Sequence, residues 1–170
     1  MKLDPKLVSA ARRTHLELFL MKVFETLHPG EPPLKRDWYI SAMCHALTRV
    51  HRGETTRQII TVPPRHLKSI ASAVAFTAWA LGHDPRVDII VAYYGLDLAR
   101  LHNTMTRRIM ESDWYKKDFP GTRIASVRGL EIVTTAGGSR KAVSVDSAIT
   151  GFGADIIVVD DPIKTQDTIS

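Results

Sequence analysis

The sequence predicts an α/β fold: a parallel sheet flanked by helices, preceded by a helical lead-in. Three observations carry this. The runs RQIITV, VDIIVAYY and ADIIVVDDP are apolar on both faces, as interior strands of a parallel sheet are. Helical patterns follow the first and second of these runs, which is the order of crossover connections. The 170 residues suffice for one domain with a real core.

Between Lys6 and Leu27 the apolar residues Leu16, Phe19, Leu20, Val23, Phe24 and Leu27 recur at three- and four-residue steps, predicting one helix. HPGEPPLKR ends it, because proline cannot continue the ladder and Gly30 suits a C-terminal cap. A second helix is predicted from about Trp38 to Val50, with Ile40, Met43, Leu47 and Val50 on one side. This lead-in spans 1–56, and the α/β core spans 57–170. There RQIITV reads as a buried strand and SIASAVAFTAWALG as a buried helix closed by Gly82. VDIIVAYY is a second strand, and GLDLARLHNTMTRRIMES a helix with Leu98, Leu101, Met105 and Ile109 inward. LEIVTTAGG and KAVSVD form a hairpin around Gly137 and Gly138, and ADIIVVDDP is a third apolar strand ending in paired acids.

Composition is that of a globular protein, with 44% hydrophobic and 24% charged residues. Lys and Arg number 23 against 18 Asp and Glu, a formal charge of +5. That excess favours an acidic partner without specifying one. The pairs Arg12-Arg13, Lys35-Arg36, Arg107-Arg108, Lys116-Lys117 and Arg140-Lys141 are scattered, as solvated faces are. The single cysteine, Cys44, excludes an internal disulfide and reads as a buried, inert thiol in a helix. No signal-peptide pattern and no membrane-length apolar run is present, so a cytoplasmic chain with no membrane partner is expected.

The chemistry concentrates in TVPPRHLKSI, where a strand turns into a helix around Lys68-Ser69. A phosphate-binding loop needs converging backbone N–H groups, an ammonium for the γ-oxygens and a hydroxyl for Mg²⁺. In G-x-x-x-x-G-K-[ST] spacing the glycine positions hold Val62 and Leu67, so the strict pattern fails while its context is kept. The alternative is a stiffened turn in which Lys68 is a surface charge. IIVVDDP supplies the complementary acids: Asp160 at a strand end to hold Mg²⁺ or its water, and Asp161 to orient an attacking water. Paired acids before Pro162 are also a turn signal. Their occurrence with a Lys-Ser turn in one small α/β chain favours the nucleotide reading.

From Trp38 onward these segments together resemble the ATPase domain of the large terminase subunit of tailed bacteriophages and prophages. IITVPPRHLKS resembles its phosphate loop. TAWALGHDPRVDIIVAYYGLDLA resembles the helix, strand and helix that follow. TTAGGSRKAVSVDSAITGFGADIIVVDDP resembles its hairpin, glycine-bearing turn and acidic strand end. The resemblance implies a P-loop NTPase-type sheet and an ATP and Mg²⁺ site built from Pro64, Arg65, His66, Leu67, Lys68, Ser69 and Ile70. Lys68 would contact the β/γ-phosphates, Ser69 and Asp160 would hold Mg²⁺, and Arg65 would stabilise γ-phosphate charge in cis. Asp161 falls where many terminases have a catalytic glutamate. Trp38 and Tyr39 lie where the family builds its adenine pocket, with a core role as the alternative.

The implied partners are double-stranded DNA, the small terminase subunit, the capsid portal and further copies of the motor. Two departures are plain. Leu67 stands where standard loops have glycine, so the loop is expected to differ locally. The chain ends at Ser170, before the family's coupling strand and nuclease domain, so it reads as an N-terminal fragment with an incomplete sheet and little or no turnover alone. The competing expectations are a non-catalytic remnant that keeps only nucleotide binding, and another P-loop ATPase such as a helicase.

Overall fold

The structure is a computed structural model that describes residues 4–145 and 153–162. Helices α1 (Pro5–Thr14), α2 (Leu16–Leu27) and α3 (Trp38–His51) come first. A π-helical stretch, Ile70–Phe76, then runs directly into α4 (Thr77–His83). Strand β1 (Asp88–Tyr93), helices α5 (Leu96–Glu111) and α6 (Asp113–Asp118), and strands β2 (Ile124–Arg128), β3 (Glu131–Thr134), β4 (Ser139–Ser144) and β5 (Ile156–Asp160) complete it.

The sheet is five-stranded, in the order β2-β3-β4-β1-β5. It is mixed rather than wholly parallel. β1 pairs in parallel with both β4 and β5, whereas β2–β3 and β3–β4 are antiparallel. β1 carries this arrangement because Ile89 to Tyr93 are all buried, the side chains alternating between two covered faces. Ile89, Val91 and Tyr93 enter the main core with Phe19, Leu20, Met43, Phe76 and Trp79. Ile90 and Ala92 join Val143 and Ala154 in a separate, smaller cluster on the opposite face.

The 70–83 helix is the core's centre, and its small residues Ala71, Ala73 and Ala75 let neighbouring helices come close. Its first half is widened to π geometry. Ala73 O accepts two side-chain donors, Thr77 Oγ1 at 2.8 Å and Arg140 Nη2 at 2.9 Å, which pull that carbonyl from the regular ladder.

Several expectations need correction. The predicted helix from Lys6 to Leu27 breaks at His15, whose backbone is extended (φ −120°, ψ 107°). The carbonyls that a continuous helix would use are taken from elsewhere: Trp79 Nε1 donates to Arg12 O at 3.2 Å, and His83 Nε2 bonds Arg13 O at 2.9 Å. RQIITV forms no strand. It runs unpaired opposite β5 across a groove of about 770 Å³, with Ile59 88% exposed. On α5, Leu101 is half exposed, while polar His102, Asn103 and Thr106 turn inward with Ile109. The reason is Arg140, which is fully buried rather than solvated. Its guanidinium donates to Thr77 Oγ1, Asn103 Oδ1, Ala73 O and Tyr93 Oη, at 2.9–3.1 Å. Strand β2 and helix α6 were not anticipated. No helix among the described residues is long and apolar enough to cross a membrane.

Candidate functional site

The turn after the unpaired segment holds the sequence-predicted loop. Val62 to Ile70 and Asp161 line a cavity of about 440 Å³ that includes Pro64, Arg65, His66, Leu67, Lys68 and Ser69. Two residues of this loop adopt left-handed backbone: Arg65 at φ 64° and Leu67 at φ 60°. Leu67 takes the glycine-like conformation, and its side chain packs against the main core, which offsets the strain of about 1–2 kcal/mol. His66 Nδ1 donates to Pro64 O at 2.8 Å, and its ring meets Tyr39 edge-on with centroids 5.1 Å apart. Tyr39 thus touches the loop from α3. Trp38 is 79% exposed and has no core role.

The acids arrive from the other end of the chain. β5 places Asp160 beside Ser69, whose Oγ donates to Asp160 Oδ1 at 3.1 Å. Asp161, at φ 44°, pairs through Oδ1 with Lys68 Nζ. Residues 91 and 93 positions apart in sequence are therefore direct neighbours. Lys68, Ser69 and Ile70, at the start of the helix, line the same cavity, and the first N–H groups of a helix lack intrahelical partners.

Asp160 is nearly inaccessible, and burial raises its carboxyl pKa. The Ser69 hydrogen bond opposes that rise, neighbouring Asp161 adds to it, and Lys68 opposes it. Its second oxygen, Oδ2, is buried without a hydrogen-bond partner among the described residues, as is His102 Nδ1 3.9 Å away. Burial, reinforced by the charge on Arg140, pushes the His102 imidazole down to about 4, so it is neutral at pH 7. Burial pushes Tyr93 up to about 12, with Arg140 pulling the other way. Cys44 lies apart from all of this, and burial raises its thiol to about 12.

Ser69 Oγ and Asp160 Oδ1 lie side by side as hard oxygen donors. This fits Mg²⁺, which binds through one or two protein ligands and keeps the rest of its shell for substrate and water. Among the described residues no larger His, Cys, Asp or Glu cluster could hold a metal.

The sequence reading missed His102 and Tyr93 beside Asp160, and Asn103 and Arg140 behind them. The available signal was a polar His102-Asn103 pair with Thr106 on one face of an otherwise amphipathic helix, and Arg140 in the two-residue alternation of β4 with Ala142 and Ser144. No protein-family model, no curated protein and no solved structure matches the chain.

Proposed function

We propose that the chain is a P-loop-type ATPase unit that binds ATP–Mg²⁺ between the 62–70 loop and the acids ending β5. The carrying observation is that the tip of β5 meets the loop twice, Asp161 pairing with Lys68 and Asp160 accepting from Ser69. In the reaction Lys68 exchanges Asp161 for the β/γ-phosphates. That exchange frees the Asp161 carboxylate to accept a hydrogen bond from water and align it for in-line attack on the γ-phosphorus. Arg65 and the helix N-terminus stabilise the charge that grows on the phosphate oxygens. Ser69 and Asp160 would hold Mg²⁺, which when bound neutralises charge on the β- and γ-oxygens. The bond between the γ-phosphorus and the bridging oxygen breaks, leaving ADP and inorganic phosphate.

The resemblance of the loop, hairpin and acidic strand to terminase large subunits supports the further reading of a motor for packaging double-stranded DNA. On that reading the small subunit, the portal and other motor copies are partners, and the work is done in the bacterial cytoplasm. Fluorescent-nucleotide titration with and without Mg²⁺ tests the core of the proposal. Lys68→Ala should weaken binding about 100-fold or more, roughly the 2–3 kcal/mol of a lost charge-assisted contact. Equal affinity of variant and wild type removes the phosphate role. Asp161→Asn should bind normally and turn over far more slowly.

A further inference from the structure

His102 has no place in the chemistry above, yet it is among the most constrained side chains near the site. It is 4% exposed, its ring lies 5.3 Å from that of Tyr93, and the next residue, Asn103, is held by Arg140 Nη1 at 2.9 Å. Tyr93 in turn accepts from Arg140 Nη2 at 3.0 Å, so the same guanidinium braces both neighbours of the imidazole. The two buried side-chain polar atoms without a partner among the described residues are His102 Nδ1 and Asp160 Oδ2, and they face each other at 3.9 Å. Leaving either unbonded costs its full desolvation penalty, which exceeds what a typical hydrogen bond contributes. A small rotation of the carboxylate closes the gap.

We propose that His102 is the positioning residue of Asp160: its Nδ1–H donates to Oδ2 and fixes the carboxylate plane with Oδ1 turned towards Ser69. This rests on the reading that Ser69 and Asp160 hold Mg²⁺. Ser69 Oγ now spends its proton on Oδ1. Once that hydroxyl turns its lone pairs to a cation, Asp160 keeps its orientation only if a second donor holds the other oxygen. Outer partners of this kind set metal affinity by about 10- to 100-fold.

The test has two arms. In the free wild-type protein, ¹⁵N-resolved imidazole spectra read the His102 tautomer without nucleotide or metal. The Nδ1–H form is expected, and an Nε2–H form overturns the proposal. In the second arm the Mg²⁺ concentration for half-maximal fluorescent-ATP binding is compared across variants, with thermal unfolding recorded for each. His102→Ala should raise it about 10-fold or more. His102→Asn, whose amide nitrogen stands where Nδ1 stood, should restore it, and His102→Gln should not. Equal values for the Ala and Asn variants, or a change that follows melting temperature alone, overturn it. A wild-type chain that binds nucleotide without any Mg²⁺ dependence overturns the parent reading and the metal role with it. The tautomer, read separately, still decides whether His102 holds Asp160.

Discussion

The two neighbours of β1 differ in how completely they are finished. On the β4 side, Arg140 is fully buried and four neutral acceptors receive its N–H groups. On the β5 side, Ile157 and Val159 remain 63% and 57% exposed, and Asp160 keeps a buried oxygen without a hydrogen-bond partner among the described residues. One flank spends its polar groups on holding helices to the sheet. The other leaves them unspent, beside strained backbone at Arg65, Leu67 and Asp161. The packed flank and the flank of the proposed site thus lie on either side of a single strand, and strain and unsatisfied groups persist only where the surroundings over-determine them.

Breaking the finished flank should have the largest effect. Arg140→Ala strands Asn103, Tyr93 and Thr77 in the core and should cost about 3–5 kcal/mol in urea unfolding. A loss under 1 kcal/mol would mean the network contributes little.

The next effect is of pH. His102 has a folded pKa of about 4 against 6.5 for the free side chain. Below about pH 6.5 the unfolded chain takes up a proton that the folded one refuses until about pH 4. Stability is therefore lost progressively as pH falls through that window, by up to about 3 kcal/mol. His51 and His83, also lowered by burial, act with the same sign. Unfolding midpoints between pH 7.5 and 4.5 should fall, and His102→Asn should flatten the slope.

The unfinished flank should respond in the opposite direction. The carboxyl of Asp160 has a raised pKa, so its ionised form weighs against folding above that value and the cost is relieved as pH falls through it. Asp160→Asn should accordingly stabilise the fold at pH 7 by about 1–3 kcal/mol while removing Mg²⁺-dependent binding. Destabilisation would show that the flank is as finished as its counterpart. Smallest is Arg65→Gly, where relief of a left-handed residue on an exposed turn should add about 1 kcal/mol, seen as a shifted midpoint with unchanged denaturant slope.

Much of the scaffold was legible because it depends on local period. α3, β1 and the β3–β4 hairpin follow their apolar patterns closely, whereas β5, expected as an interior strand, lies at the sheet edge with Ile157 and Val159 exposed. The acids and the Lys-Ser turn were legible as residue types at element ends, and their meeting needed only a parallel sheet. What was not legible depends on partners distant in sequence. RQIITV has strand composition, but a strand exists only when paired, and no described strand lies beside it. The break at His15 is set by Trp79 and His83, which no pattern within the first thirty residues encodes. Arg140 looks like a surface charge until α5, β1 and the 70–83 helix are assembled around it.

The distance between Ser69 and Asp160 along the chain has a consequence in time. At roughly 5–20 residues per second, a ribosome needs about 5–20 s to make the 91 residues that separate them. Throughout that interval the loop exists without its acids, while the helices, β1 and the hairpin with β4 can already consolidate on the buried arginine. Drawing the two ends together costs about 4 kcal/mol of loop-closure entropy in a fully flexible chain, and far less once the intervening segments are folded. The newborn protein therefore gains its body first and the meeting of Ser69 with Asp160 last.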